Sequence, residues 1–392
     1  MAVQMKRKGA GEARRLLRVR GTGPGRKTVG RYAGSEAAAP PAPAGPLPVI
    51  RASGKHYDIG GAIGQAYGPK VEEAILYYDR VLQTAGNMTL EEATAQVMKY
   101  LPYAEETLPE FVEEIRGIAD GARVDFEPVF VINTLEALVR DLPRFGCTGV
   151  AVNLADRGEV WLGHNEDWYA EDASRVAVVI AHPEGEPAFL SVINGPLLPA
   201  VGFNEEGIGQ GVNSVYPTDV RVGVPRTFSS RHVLEARNLG EAMEFACVSG
   251  RAGGYNHLLA TADGELYNFE TTAREFDALY AEDLLAHANH YLSPHLHALS
   301  DPPHPDSIIR ANRARKLTRS YLAQGLDGRT ALTKALTDHV NHPASICSHP
   351  QPDEPIDART ATVFSFLVEL KSRRAWVTAG APCQGTYQEF TL

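Results

Sequence analysis

Between residues 69 and 142 apolar side chains return every three or four positions: Val71, Ala74, Ile75, Tyr78 and Leu82, then Ala93, Val97 and Leu101, then Phe111, Ile115 and Ile118, then Phe130, Leu135 and Leu138. That spacing predicts a series of helices, each burying one face. Thr89 ahead of Glu91 and Glu92, and Pro109 ahead of Glu110, supply helix starts. At Cys147 the period changes to two. CTGVAVNLA and VWLGHNEDW, joined by DRGE, read as a hairpin, followed by RVAVVIAH and AFLSVI around PEGEP. VGFNEEGIGQGVNSV turns at 204–207, and HLLATADGELYNFETT turns at Asp263-Gly264. Helices return around 229–249 and 306–340, and TATVFSFLVELKSRRAWVTAG predicts a closing hairpin. Long antiparallel strands with clustered helices predict an α+β layered fold, two sheets stacked face to face under helices.

The chain has 392 residues, 44% of them hydrophobic, enough for a substantial core. No apolar run approaches the roughly 20 residues needed to cross a bilayer, and the start has no secretory-type apolar stretch, so a soluble, cytoplasmic protein is expected. The formal charge of −10 is unevenly spread: the first 31 residues carry ten bases against Glu12 alone. An acidic remainder argues against nucleic acid as a partner and leaves small molecules. The basic start reads as a disordered tail, an over-long start or a transit peptide. The Ala/Pro-rich stretch at 38–48 reads as a linker. The expected organisation is therefore a leader at 1–48, a mainly helical part at 49–146, and a β-rich part at 147–392.

Cys147, Cys247, Cys347 and Cys383 are widely separated and form no CxxC pair, so the spacing indicates neither a disulfide framework nor a thiolate zinc site, and no cofactor. Cys147 lies in FGCTG, where the helical texture ends and the first long strand begins. Were the Gly146–Cys147 bond cut, one residue would carry a thiol of pKa about 8.5 and an α-amine of about 8, nucleophile and base together. An amide nitrogen is not basic, so the uncut chain would be latent. Glycine at 146 is expected to let the backbone strain into the geometry of attack.

The motifs CTG, GHNEDW, GFNEEGIGQGVN, HANHYLSP and DSIIRANR resemble the cysteine N-terminal nucleophile (Ntn) hydrolases. The resemblance is to the acyl-CoA:6-aminopenicillanic acid acyltransferase-like family and, more distantly, to the choloylglycine hydrolases. It runs from about Ile50, where GKHYDIGGAIGQAYG is similar to the family's propeptide opening, to the end of the chain. It implies a four-layer αββα fold, self-cleavage between Gly146 and Cys147, and two chains that stay associated, with homo-oligomers open. The implied reaction cleaves or transfers the acyl group of a small linear amide or acyl-CoA through a Cys147 acyl-enzyme. Asp167 would contact the new amino terminus, Asn213 and Asn289 would face the oxyanion, and Arg310 would lower the thiol pKa. His164 departs from the arginine or glutamine of relatives, and is expected to touch substrate or the nucleophile's surroundings. Trp168, Tyr169, Phe203 and Tyr216 are candidates for an acyl pocket, and Glu270 is expected to be structural.

Two rival readings use the same chain. His287, His290, His295, His297 and His304 crowd one segment and suggest a metal-dependent hydrolase, although Pro294, Pro302, Pro303 and Pro305 break any helix there and no HExxH is present. The other rival is a binding protein on the same fold without catalysis. The glycines of GFNEEGIGQG match neither a phosphate loop nor a dinucleotide fingerprint.

Overall fold

The computed structural model describes residues 45–138, 146–351 and 353–392. The basic leader, most of the Ala/Pro-rich linker and the end of the helical span at 139–142 lie outside the described residues. The first part comprises strand β1 (Val49–Gly54) and helices α1 (His56–Tyr67), α2 (Pro69–Gly86), α3 (Leu90–Val97), α4 (Leu101–Thr107), α5 (Pro109–Ala122) and α6 (Phe126–Leu138). Thr89 caps α3 in a capping box with Glu92, and Pro109 opens α5 at its first turn. Helices α1 and α5 lie backbone against backbone: a Cβ on Gly60 would sit 1.8 Å from the Glu114 carbonyl oxygen, and one on Gly64 2.0 Å from that of Ile118.

Strands β2 (Cys147–Leu154), β3 (Glu159–Tyr169), β4 (Val176–Pro183), β5 (Phe189–Asn194), β6 (Val201–Asn204) and β7 (Ile208–Ser214) follow as hairpins. Helices α7 (Arg226–Val233) and α8 (Leu239–Ala246) interrupt before β8 (Tyr255–Thr261), β9 (Leu266–Thr271), β10 (Phe276–Ala281) and β11 (Leu284–His287). Helices α9 (Pro305–Ala323) and α10 (Gly328–Leu336) precede β12 (Thr360–Glu369), β13 (Arg374–Ala379) and β14 (Gln388–Thr391). An eight-stranded sheet runs β1-β4-β5-β6-β7-β8-β9-β10 and a six-stranded sheet β11-β2-β3-β12-β13-β14.

The two sheets pack through β2 and β3 against β7 and β8. Helices α9 and α10 cover the outer face of the six-stranded sheet, and α1, α7 and α8 lie against the eight-stranded one. The result is a four-layer αββα sandwich. Because side chains alternate along a strand, the inner layer splits by parity. Ala151, Val160, Leu162 and Trp168 enter the main core between the sheets, whereas Val150, Val152 and Trp161 pack with Leu332 and Leu336 under α9 and α10. No helix among the described residues is long and apolar enough to cross a membrane.

The part preceding Cys147 is built into the rest. Strand β1, which hydrophobic period alone had not revealed, pairs in parallel with β4, Val49 against Val178. A buried charge network adds to this join. Arg231 of α7, fully buried, donates from Nε to Glu114 of α5 at 3.1 Å and from Nη1 to Glu235 at 3.0 Å. His56 bridges Glu114 at 3.0 Å and Glu186 at 3.3 Å. Burial opposes a charge on His56, but its bonds to Glu114 and Glu186 outweigh that and raise its pKa to about 9.

A histidine raised from the ordinary 6.5 to about 9 stabilises the fold fully below pH about 6.5 and loses that contribution as pH rises through about 9. Thermal unfolding between pH 6 and 10 should show a loss of roughly 3 kcal/mol over this window, absent in His56→Ala.

Candidate active site

Strands β2 and β3 pair in a register that sets Cys147 opposite Glu166 and Thr148 opposite Asn165. By the alternation of the strand, His164, Glu166 and Trp168 point between the sheets, while Asn165 and Asp167 point toward α9 and α10. The peptide joining Gly146 to Cys147 is therefore flanked by two carboxyl groups on opposite faces. Its carbonyl oxygen on Gly146 accepts from the Asp167 N–H at 2.8 Å, and its N–H on Cys147 donates to Asn289 Oδ1 at 3.0 Å. The next carbonyl, that of Cys147, accepts from Arg310 Nη1 at 2.7 Å.

Asn289 and Arg310 reach this bond from distant segments. Asn289 follows β11 in a stretch anchored by Glu270, whose carboxylate accepts from the N–H groups of Leu292 (2.7 Å) and Ser293 (2.9 Å) and bonds His287 (2.8 Å). Asn289 Nδ2 donates to the Ser214 carbonyl at 3.0 Å, so this amide is fixed at both ends, with its oxygen on the Cys147 nitrogen. Arg310 projects from the second turn of α9. It also donates to Asn289 Oδ1 at 2.7 Å and to Asp306 at 3.1 Å.

The thiol faces the other way. Cys147 Sγ lies 3.5 Å from Glu166 Oε1, and Glu166 Oε2 lies 2.9 Å from His164 Nε2. The N–H of Ser214 also points at the sulfur. Burial pushes the thiol well above its ordinary range, and the charges of Glu166 and Asp167 push further, so Arg310 leaves it raised rather than lowered. Burial likewise raises Glu166, against the bond from His164. Asp167 is lifted to about 7 by burial, against the pull of Arg310 and of the Thr362 hydroxyl, which donates to it at 2.5 Å.

Gly146 does not adopt a positive φ. The need for glycine is steric: a Cβ there would lie 2.8 Å from Asp167 Oδ2 and 3.4 Å from Arg310 Nη2. Asn213 lies on the inner face of β7 beside Gly149 of β2. Its Oδ1 accepts from Asn256 at 3.0 Å, and its buried Nδ2 finds no partner among the described residues.

Cys147, Glu166 and Trp168 line a cavity of about 100 Å³. Its wall is apolar at Ile132, Leu135, Ile193, Leu198 and Val201, and polar at Glu136, Ser214 and Tyr255. Glu136 accepts from Ser214 Oγ at 2.7 Å and from Arg226 and Tyr255 in shorter contacts. Of the residues expected to line an acyl pocket, Trp168 does so. His164 sits behind Glu166, and Phe203 and Tyr169 are wholly buried in the main core, because their strand positions direct them into packed layers. Tyr216, just past β7, is not part of the lining.

The five histidines of the metal reading do not converge among the described residues. His287 is held by Glu270, His290 by Ser307 at 2.7 Å, His297 by the Tyr291 carbonyl at 3.2 Å and His304 by Asp306, while His295 is exposed. Cys147, His164 and Glu166 do place ligand atoms within 4.8 Å of one another, a set able to take up a soft divalent ion. Glu166, Glu136 and Ser214 were not singled out from sequence. Glu166 was accessible to it, since alternation along GHNEDW sets it on the thiol's face. Glu136, on a helix remote in sequence, offered no signal.

A profile of the family described as acyl-coenzyme A:6-aminopenicillanic acid acyl-transferase matches residues 154–384. The acyl-coenzyme A:6-aminopenicillanic-acid-acyltransferase 40 kDa form of Emericella nidulans is 25% identical over 343 residues, covering 85% of this chain and 92% of that protein. The beta-alanyl-dopamine/carcinine hydrolase of Drosophila melanogaster is 27% identical over 218 residues, 50% of this chain and 56% of the relative. Among solved structures, a mutant conjugated bile acid hydrolase from Clostridium perfringens aligns with a TM-score of 0.39 at 11% identity, over 63% of this chain and 97% of its own.

Gly146→Ala should leave the fold intact but displace Asp167 or the Gly146–Cys147 peptide. Any scission at this bond should slow by more than about tenfold, read as persistence of the full-length band on denaturing gels while circular dichroism is unchanged.

Proposed function

The chain belongs to the acyl-coenzyme A:6-aminopenicillanic acid acyl-transferase family, and from that premise we propose that it is a latent precursor. It severs itself between Gly146 and Cys147 and then uses Cys147 as an N-terminal nucleophile on small linear amides. The observation that carries the reading is the grip on one peptide bond: its oxygen on the Asp167 N–H, its nitrogen on Asn289, its thiol beside Glu166.

In the self-scission step no α-amine exists, so Glu166, oriented by His164, accepts the Sγ proton. The sulfur then bonds to the Gly146 carbonyl carbon, and the oxyanion that forms keeps the Asp167 N–H. The carbon–nitrogen bond breaks as the Asp167 carboxyl delivers its proton to the Cys147 nitrogen. Water hydrolyses the resulting thioester, leaving a carboxylate on Gly146 and a free thiol and amine on Cys147. In turnover the amine serves as the base, with Asp167 and Asn289 holding it, and the unpartnered Asn213 Nδ2 supplies a donor for the substrate oxyanion. The acyl group passes from sulfur to water or to an amine.

The two pieces stay together because β1 is a strand of the large sheet and Glu114 is paired with buried Arg231. The earlier piece also supplies Ile132, Leu135 and Glu136 to the cavity. Glu136 and Glu166 beside the nucleophile favour a neutral or ammonium-bearing acyl group over an acidic one, since a third carboxylate there would be desolvated among like charges. One relative, named for hydrolysis of beta-alanyl-dopamine and carcinine, accords with an amine-bearing acyl group.

Purified protein should run as two fragments divided at Gly146/Cys147, whereas Cys147→Ala stays whole; an uncut wild type after prolonged incubation would sink the reading. Glu166→Gln should slow scission by about 10²-fold or more. The scission rate should fall as pH rises past about 7, where Asp167 loses its proton, and Asp167→Asn should abolish that limb. Against a panel of acyl amides, β-aminoacyl and short aliphatic acyl groups should exceed glutaryl amides in kcat/KM by at least about tenfold.

A further inference from the structure

Far from Cys147 in sequence, four potential ligands converge at one end of the six-stranded sheet, beside the start of β12 and the end of β13. His339, Cys347 and His349 lie on the loop leaving α10, and Cys383 lies in the turn after β13. His339 Nε2 is 3.1 Å from His349 Nε2, which is 3.6 Å from Cys347 Sγ and 3.4 Å from Cys383 Sγ. All four ligand atoms lie within 4.8 Å of one another.

These separations have a specific meaning. A zinc ion bound at about 2.3 Å to sulfur and about 2.05 Å to nitrogen has tetrahedral edges of about 3.3 Å between two nitrogens and about 3.5 Å between nitrogen and sulfur. The three separations from His349 Nε2 lie close to those edges. One imidazole nitrogen, moreover, faces another nitrogen and two sulfurs, and a single proton or lone pair satisfies only one of the three. A cation at the centre satisfies all four. The thiols are free rather than joined in a disulfide.

We propose that His339, Cys347, His349 and Cys383 form a closed, tetrahedral Cys₂His₂ site for a structural zinc ion. Two thiolates neutralise the dication, and two imidazoles with two thiolates select zinc over the hard cations magnesium and calcium. With four protein ligands it leaves no open position for substrate, so its role is to clip the α10 loop to the β13 turn. The clip has a neighbour of consequence. Ser348, between two of the ligands, donates its N–H to Thr362 Oγ1 at 2.9 Å and accepts the Thr362 N–H at 3.2 Å. That same Thr362 hydroxyl donates to Asp167 at 2.5 Å.

The test is metal content, independent of any catalytic role of Cys147. Full-length protein loaded with zinc and exhaustively dialysed should retain about one zinc per chain by elemental mass spectrometry, and His349→Ala or Cys383→Ser should retain less than about a tenth of that. Cys247→Ser and His342→Ala, outside the ligand set, should keep the full amount. Cobalt loading should give the intense visible bands of a tetrahedral sulfur-ligated ion, lost in Cys383→Ser, and chelation should lower Tm by more than about 5 °C. Zinc-free wild type after loading would overturn the proposal. So would a Cys347–Cys383 disulfide in protein purified with its thiols blocked, or variants that hold as much zinc as wild type.

Discussion

The arrangement at the candidate site depends on one constraint, the register of β2 against β3. Cys147 faces Glu166 across the ladder, and strand alternation then sends Glu166 between the sheets with the thiol and Asp167 to the opposite face with Gly146. A slip of one residue would exchange them, moving every core side chain of the strand to the wrong layer. The register is held because both faces of the hairpin are buried: Leu162 in the main core, Trp161 under α10. Packing that stabilises the sandwich thus also assigns each carboxyl group its side of the Gly146–Cys147 bond.

The residues preceding Cys147 are structural members rather than a cover. Their strand extends the eight-stranded sheet, their Glu114 neutralises an arginine that would otherwise be buried unpaired, and their Glu136 forms part of the cavity wall. Breaking such a buried pair from one side costs several kcal/mol, which ties the residues before Cys147 to the rest of the fold.

Several buried groups act by orienting others. Glu270 fixes the segment that carries Asn289, His164 aims Glu166, and Thr362 links Asp167 to the loop bearing Cys347 and His349. Gly211 leaves room for His164, since a Cβ there would come within 3.1 Å of its Nδ1. Glu270, His164 and Thr362 are polar and buried, and each has its geometry set by neighbours from another element, which is how a strand residue is held to the tolerance that chemistry requires.

Read alone, the sequence determined what is local. The hairpins from Cys147 onward, the helix starts at Thr89 and Pro109 and the helix pairs near 229–249 and 306–340 were legible, because period and turn chemistry act over a few residues, whereas Asp167, Asn213, Asn289 and Arg310 came to notice through the resemblance of their motifs to a family. Only the tertiary structure decided what depends on contacts between distant segments. It turned Phe203 and Tyr216 away from the cavity and brought in Glu136. It gave Asn289 to the Cys147 nitrogen and made Gly146 a matter of space beside Asp167 rather than of strain. It also gathered Cys347 and Cys383, which spacing had set aside, with two histidines outside the cluster the sequence drew attention to. Contacts across many tens of residues leave no periodic trace in a chain; they exist only once the sheets have stacked.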